Sequence, residues 1–92
     1  MKELGLTPQT GLALTGVKTC VDGGKKGPAV AVLAELDAVG TPDSPKADPL
    51  TGAAHTCGHF LQMASMLAAC TGIVKSGVMQ DLAGSAVFFA VP

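Results

Sequence analysis

The sequence predicts an α/β fold with the element order strand, strand, loop, helix, strand. Three observations support this fold class. Apolar strand-forming runs lie in both halves of the chain, a segment of helical periodicity precedes the last of them, and turn-forming residues separate the segments. A strand, a helix and a second strand in this order are typical of a right-handed crossover unit. We therefore expect one α/β unit in the 92 residues.

The first two strands are predicted at 12–20 and 28–37. Segment 12–20, LALTGVKTC, mixes β-branched and apolar residues. Segment 28–37, PAVAVLAELD, is an almost continuous apolar run, which favours a strand buried on both faces. The turn-forming sequence DGGKKG at 22–27 lies between them. We expect the two strands to form a hairpin.

The second half of the chain predicts a loop, a helix and a third strand. Residues 40–56 are rich in Pro, Asp, Thr, Ser and Gly and predict a long irregular loop, a type that is uncommon unless it is functional or disordered. From Gly58 to about Lys75 a wide apolar stripe recurs at helical spacing, so this helix should be mostly covered. The run SAVFFAV at 85–91 predicts another interior strand.

Composition narrows the classes of function. Six lysines and no arginine form no basic stripe, and the formal net charge is −1, which argues against binding to nucleic acid or an anionic membrane. The chain shows neither a signal peptide nor an apolar stretch long enough to span a membrane. Three cysteines without a disulfide pattern favour a cytoplasmic location. The abundance of interior-type segments predicts exposed apolar surface and a homo-oligomer.

Two clusters could carry chemistry. Glu35 and Asp37 are two residues apart at the carboxyl end of a predicted strand, so their carboxylates can share a face where ligands of open α/β sheets bind. They could equally be charged residues that end a strand in solvent.

The second cluster, His55-Thr56-Cys57-Gly58-His59, holds both histidines of the chain directly before the predicted helix. Imidazole and thiolate are suitable ligands for zinc, and Gly58 permits a tight turn. A reactive thiol or a purely structural role remains an alternative. Cys57 and His59 would supply two ligands, whereas catalytic zinc takes three protein ligands and a general base.

Taken together, the motifs resemble the start of the catalytic domain of metallopeptidase family 20. The run GPAVAVLAELDAV at 27–39 followed by GAAHTCGH at 52–59 is similar to the amidohydrolase branch, which includes hippurate, auxin-conjugate and aminobenzoyl-glutamate hydrolases. The resemblance extends from about Leu4 to Pro92. It implies a fragment of a three-layer α/β/α zinc-peptidase-like domain, with residues 1–92 forming part of the catalytic, metal-binding domain.

The resemblance also implies roles for single residues. Cys57 and His59 match two metal ligands, and Asp37 matches the catalytic aspartate that orients the site. Glu35 and His55 match positions that could support the ligands. The resemblance further implies two divalent ions, zinc or manganese, and a small N-acyl amino acid or peptide substrate.

The chain also departs from the family pattern. Phe60 stands where the branch usually has Asp or Asn, and the family's glutamate pair, N-terminal helices and dimerisation domain have no match. We therefore expect a hydrolase fragment that is inactive alone. The alternatives are a self-associating α/β module without catalytic function and a simple thiol or metal-binding module.

Overall fold

A four-stranded sheet and one long helix dominate the computed structural model, which describes all residues from Met1 to Pro92. The regular elements are β1 (Gln9–Leu12), β2 (Gly16–Asp22), β3 (Lys25–Glu35), β4 (Val39–Gly40), β5 (Ala53–Ala54), α1 (His59–Ser76) and β6 (Ala83–Val91). Two short 3-10 turns lie at Lys2–Leu4 and Val78–Gln80. No helix combines the length and the apolar character that a bilayer-spanning segment needs.

The main sheet has the strand order β1-β2-β6-β3. Strands β3 and β6 are parallel, and α1 forms the crossover between them, whereas β2 runs antiparallel to β6. This mixed sheet with a crossover helix confirms the predicted α/β class. It places the carboxyl end of β3 next to the N-terminus of α1.

The predicted hairpin between the first two strands is wrong, because β6 lies between β2 and β3. The glycine-rich turn after β2 does not fold back on that strand. Gly23 N–H donates to the Gly84 carbonyl at 2.7 Å, and Gly24 N–H donates to the Met79 carbonyl at 3.0 Å. A Cβ on Gly23 would lie 2.6 Å from the Gly84 carbonyl oxygen. The turn therefore packs against the segment that enters β6 and leaves room for β6 in the sheet.

The predicted strand at 12–20 is in fact interrupted. Leu12 ends β1, and Ala13 and Leu14 turn the chain with positive φ values of 46° and 79°. Strand β2 begins at Gly16 and pairs antiparallel with β1, so the hairpin of this region is β1–β2. A side chain at Gly16 would meet the Leu12 carbonyl oxygen at 2.5 Å, which explains why a glycine begins β2.

Helix α1 begins and ends next to glycines in the left-handed region. Gly58 precedes it with φ 97°, and Gly77 follows it with φ 69° and donates its N–H to the Val74 carbonyl at 3.3 Å. Glycine adopts this conformation without the steric penalty of a Cβ, so the sequence itself sets both ends of the helix. The helix starts one residue later than predicted and places His59 in its first turn.

The core lies between α1 and one face of the sheet. Its two fully buried large side chains are Phe88 of β6 and Cys70 of α1. Burial raises the pKa of the Cys70 thiol. The buried cluster consists of Ala34, Met66, Cys70, Met79, Ala86, Phe88 and Ala90. Alternate residues of β6 point into this core, as the two-residue period of a strand requires.

Two predictions of burial are wrong. Only Met66 and Cys70 of α1 are buried, so the helix is not mostly covered. Strand β3 is not buried on both faces, since Val30 and Leu33 are 63% and 61% exposed. The reason is that β3 is an edge strand with a single neighbour, and one helix covers one face of the sheet. The chain accordingly has the exposed apolar surface that its composition predicts.

The predicted irregular loop at 40–56 is closed at its base by a short antiparallel ladder. Its ends are joined by the β4–β5 ladder, in which Val39 pairs with Ala54. Within it, one carboxylate oxygen of Asp48 accepts hydrogen bonds from the Thr51 N–H at 2.8 Å and the Thr51 hydroxyl at 3.0 Å. These bonds, with a further one from the Leu50 N–H, hold the pKa of Asp48 below its usual value. The loop returns the chain to the end of β3.

Candidate metal centre

Three elements position the candidate site. Glu35 is the last residue of β3, Asp37 lies two residues beyond it, and His59 is the first residue of α1. The β4–β5 ladder brings the segment containing His55 and Cys57 back beside them. The site therefore lies beyond the carboxyl end of a parallel strand, where open α/β sheets bind ligands.

The imidazole of His59 lies between two carboxylates. Its Nδ1 is 2.6 Å from Asp37 Oδ1, and its Nε2 is 3.1 Å from Glu35 Oε2. The His59 side chain is 17% exposed, whereas the carboxylates of Glu35 and Asp37 are 48% and 49% exposed. A carboxylate therefore faces each ring nitrogen. The imidazole is mostly buried, whereas both carboxylates are half-exposed to solvent.

Two carboxylates, which are both acceptors, do not match the one donor and one acceptor of a neutral imidazole ring. A neutral imidazole has one N–H and one lone pair, so one of its nitrogens would present a lone pair to a carboxylate. Nδ1 is buried and has no aligned hydrogen bond, although the Asp37 oxygen lies close to it. The contact is thus a close N···O approach without the alignment of a directed N–H···O bond. A cation among the three groups would remove the conflict.

The donor set fits a divalent metal ion. One ligand atom from each of Glu35, Asp37 and His59 can be chosen so that all three lie within 4.8 Å of one another. Carboxylate oxygen and imidazole nitrogen are both zinc ligands, and both also suit manganese. The close but unaligned approach of two carboxylates to one imidazole is the observation of this structure that agrees with a bound cation.

Cys57 and His55 border the same small hollow. Asp37, His55, Cys57 and His59 line it together with Ala38, Val39 and Ala54. Cys57 is exposed, and its sulfur is not part of the three-residue donor group. The structure thus brings all five predicted site residues to one end of the sheet. It places Glu35 Oε2 3.1 Å from His59 Nε2, and the roles of these residues stay predictions.

Gln62 contacts the site and was not singled out in the sequence. Its Nε2 donates to Glu35 Oε2 at 3.3 Å, and its Oε1 accepts the Glu35 backbone N–H at 3.3 Å. A signal was present in the sequence, since residues three apart on a helix share a face and Gln62 follows His59 by three. Without the end of β3 in place, this spacing had no partner to point to.

The largest open cavity lies elsewhere. It measures about 550 Å³ and is lined by the glycine-rich turn at 22–27 with Gly84 and Ser85, at the start of β3. It contains neither imidazole nor thiol, and its only carboxylate is that of Asp22. We therefore place the candidate chemistry in the smaller hollow, on the strength of its donor groups.

The fold and the donor cluster together define a candidate metal site at the end of a parallel strand in an α/β sheet, and comparison with known proteins indicates its type. No family model matches the chain. The chain is 34% identical over 70 residues to the candidate amidohydrolase YhaA of Bacillus subtilis (strain 168). The aligned region covers 73% of the chain. The match spans 18% of YhaA.

Two solved structures share the fold. The YXEP protein of Bacillus subtilis, a dinuclear metal-binding peptidase of the M20 family, superposes with a TM-score of 0.76 at 25% identity. A candidate aminohydrolase from methicillin-resistant Staphylococcus aureus superposes with a TM-score of 0.77 at 26% identity. Each match covers 97% of this chain, and 26% and 24% of the respective neighbour.

These similarities confirm the resemblance to the M20 amidohydrolases and the α/β fold that it implied. The relatives indicate a metal-dependent amidohydrolase or peptidase family, and the dinuclear neighbour supports divalent metal ions as its cofactors. The chain spans about a quarter or less of the length of the relatives that it matches.

Proposed function

We propose that this chain forms part of the di-metal centre of an amide hydrolase of the M20 type, and that the 92-residue chain does not hydrolyse amides alone. The observation that carries the proposal is the position of His59, which lies between the carboxylates of Glu35 and Asp37 beside Cys57. This cluster sits at the end of a strand and joins donors of the types that divalent ions prefer.

In the proposed centre Cys57 and His59 bind metal, and Asp37 orients the imidazole of His59 from its Nδ1 side. A carboxylate that accepts the second ring N–H of a ligating histidine fixes the ring orientation and raises its basicity as a ligand. Asp37 Oδ1 lies 2.6 Å from Nδ1, close enough for this role, although the two atoms are not aligned as a hydrogen bond in this structure. Glu35 and His55 complete the polar lining of the hollow. When bound, two zinc or manganese ions would lower the pKa of a water molecule and polarise the substrate carbonyl.

The proposed substrate class is an N-acyl amino acid or a short peptide, acted on in the cytoplasm by a homo-oligomer. Support comes from the amidohydrolase and peptidase descriptions of the relatives. The exposed apolar side chains of β3, Val30 and Leu33, favour association with another surface.

The expected inactivity follows from the groups that this chain contributes. A catalytic zinc site takes three protein ligands and a general base, whereas Cys57 and His59 supply two ligands. The glutamates of the sequence are Glu3 and Glu35 alone, and Glu35 already faces His59. No second glutamate is therefore free to move a proton at the site.

Titration with Co²⁺, followed by near-ultraviolet and visible absorption, tests the metal centre. The unchanged chain should show a thiolate-to-metal band, and both Cys57→Ser and His59→Ala should weaken binding at least tenfold. Cys20→Ser is the matched control, because Cys20 is also exposed but lies outside the hollow. Equal affinity in all four proteins would refute the proposed ligands.

An amidase assay tests the inactivity. The chain, loaded with Zn²⁺ or Mn²⁺, is incubated with a panel of N-acyl amino acids, and release of the free amino acid is compared with a metal blank. We expect no turnover above the blank. Turnover that is lost in His59→Ala would overturn the claim of inactivity and retain the metal centre.

A thiol-reactive module is the second candidate, favoured by the exposure of Cys57. Alkylation rates with and without chelator separate the two candidates, because a bound metal protects its thiolate ligand. A rate at Cys57 that chelator leaves unchanged would support the thiol module. Cys70 serves as the internal reference for slow reaction, since it is buried and its pKa is raised by burial.

A further inference from the structure

We propose that Gln62 is a positioning residue that holds the carboxylate of Glu35 against His59 and thereby sets the affinity of the centre for a divalent cation. The inference rests on the proposed function, because it assigns a support residue to the same site. It concerns a side chain that lies outside the motifs on which the resemblance rests.

The contact between Gln62 and Glu35 has two parts. The Glu35 backbone N–H donates to Gln62 Oε1, and Gln62 Nε2 donates to Glu35 Oε2, both at 3.3 Å. The same Oε2 atom lies 3.1 Å from His59 Nε2. One oxygen of Glu35 is thus held by Gln62 and presented to His59.

Only one orientation of the Gln62 amide satisfies both partners. If the amide were reversed, its NH₂ would face the Glu35 backbone N–H and its oxygen would face the Glu35 carboxylate. Both new contacts would be repulsive. The donor and the acceptor of Gln62 are therefore used together, which neither an apolar side chain nor a carboxylate can reproduce.

The placement on α1 explains why this contact can act on the site. His59 and Gln62 are three residues apart in the first turn of the helix, so they share a face and are held in a fixed relation by the backbone. The Glu35 side chain is 48% exposed. Without Gln62 its carboxylate would sample other rotamers, and cation binding would have to order it.

A double-mutant cycle on the dissociation constant of Co²⁺ tests whether Gln62 acts through Glu35. Loss of a residue that supports metal ligands typically weakens binding about 10- to 100-fold. We expect Gln62→Ala to weaken binding about tenfold in the unchanged chain and less than twofold in a Glu35→Ala background. Gln62→Met, which keeps the length but lacks the amide donor and the amide oxygen, should behave like Gln62→Ala.

Gln80→Ala is the matched control, because Gln80 is exposed and lies in the 3-10 turn beyond the other end of α1. It should leave the affinity unchanged. Far-UV circular dichroism of each variant checks that the fold is retained. Equal weakening by Gln62→Ala in both backgrounds, or none in either, would overturn the proposal.

Hydrogen exchange of the Glu35 amide gives a readout that needs no metal. Gln62→Ala and Gln62→Met should raise the exchange rate of this amide relative to its neighbours in β3, whereas Gln80→Ala should not. An unchanged rate overturns the positioning contact itself. If the unchanged chain does not bind Co²⁺, the proposed metal centre and the effect of Gln62 on affinity are both refuted. The exchange rate of the Glu35 amide then still tests the contact between Gln62 and Glu35, so failure of the metal centre and failure of the positioning contact give different results.

Discussion

The three phenylalanines of the chain provide an internal series for testing the fold that positions the site. Phe88 is fully buried against α1, Phe60 is 51% exposed, and Phe89 is half-buried on the opposite face of β6 from Phe88. Phe89 also lies under the Lys18 ammonium, which is 5.5 Å from its ring centre. The same substitution to alanine therefore probes three different environments.

The expected losses can be ranked from burial. Truncation of a fully buried Phe to alanine costs about 3–5 kcal/mol. Domains have a free energy of unfolding of about 0.05–0.15 kcal/mol per residue. Because only 11 of the 92 residues are buried, we take the low end of that range, which gives roughly 5 kcal/mol for the whole chain. Phe88→Ala should thus remove most of the free energy of unfolding. Phe89→Ala should cost about 1–2 kcal/mol, including a cation–π contribution of about 0.5–1 kcal/mol. Phe60→Ala should change it by less than about 0.5 kcal/mol.

Urea denaturation followed by far-UV circular dichroism measures these losses, since the chain has neither Trp nor Tyr as a fluorescent probe. The order Phe88, then Phe89, then Phe60 is the decisive result. Equal losses for the two neighbours in β6 would refute the assignment of one covered and one open face, and with it the packing of α1 described above.

Two further predictions concern the backbone and the loop. Gly84 has φ 94°, and a Cβ there would collide with the Pro28 carbonyl, so Gly84→Ala should lower the urea midpoint by the equivalent of more than about 2 kcal/mol. Gly72→Ala, in the open middle of α1, should instead stabilise by about 0.5–1 kcal/mol, and a loss there as large as that of Gly84→Ala would contradict the steric reasoning. The lowered pKa of Asp48 means that its stabilisation of the loop is complete above the ordinary value of 3.8 and is lost as the pH falls through the depressed value in the folded chain. The NMR chemical shift of the Thr51 amide should therefore change with pH only below 3.8. If the same change persisted in Asp48→Asn, another group would be its cause.

The elements of this fold could be predicted because their signals are local. The helical period between Gly58 and Lys75 and the apolar run of β6 each identify an element without reference to the rest of the chain. Strand pairing is not local. Nothing in the turn after β2 revealed that β6 would insert beside it, so the hairpin was assigned to the wrong pair of strands. Burial failed for a related reason, since an apolar run indicates a buried strand only where other elements cover it.

The site was predictable to the level of its residues but not of its contacts. The order of Glu35, Asp37, Cys57 and His59 along the chain is a sequence pattern, and its location at the end of β3 followed from the topology of α/β sheets. The approach of both carboxylates to one imidazole depends on how α1 docks onto the sheet. For the same reason the three-residue spacing of Gln62 from His59 could not be assigned a meaning until its neighbour across the fold was known.

The length of β3 keeps the two ends of this molecule electrically independent. Eleven residues at about 3.3 Å each place Lys25 and Lys26 roughly 30 Å from Glu35, several times the screening distance of about 8 Å at physiological ionic strength. Charges at the glycine-rich turn therefore have little influence on the cluster around His59. A surface anchor attached to Lys26 would therefore leave that cluster undisturbed.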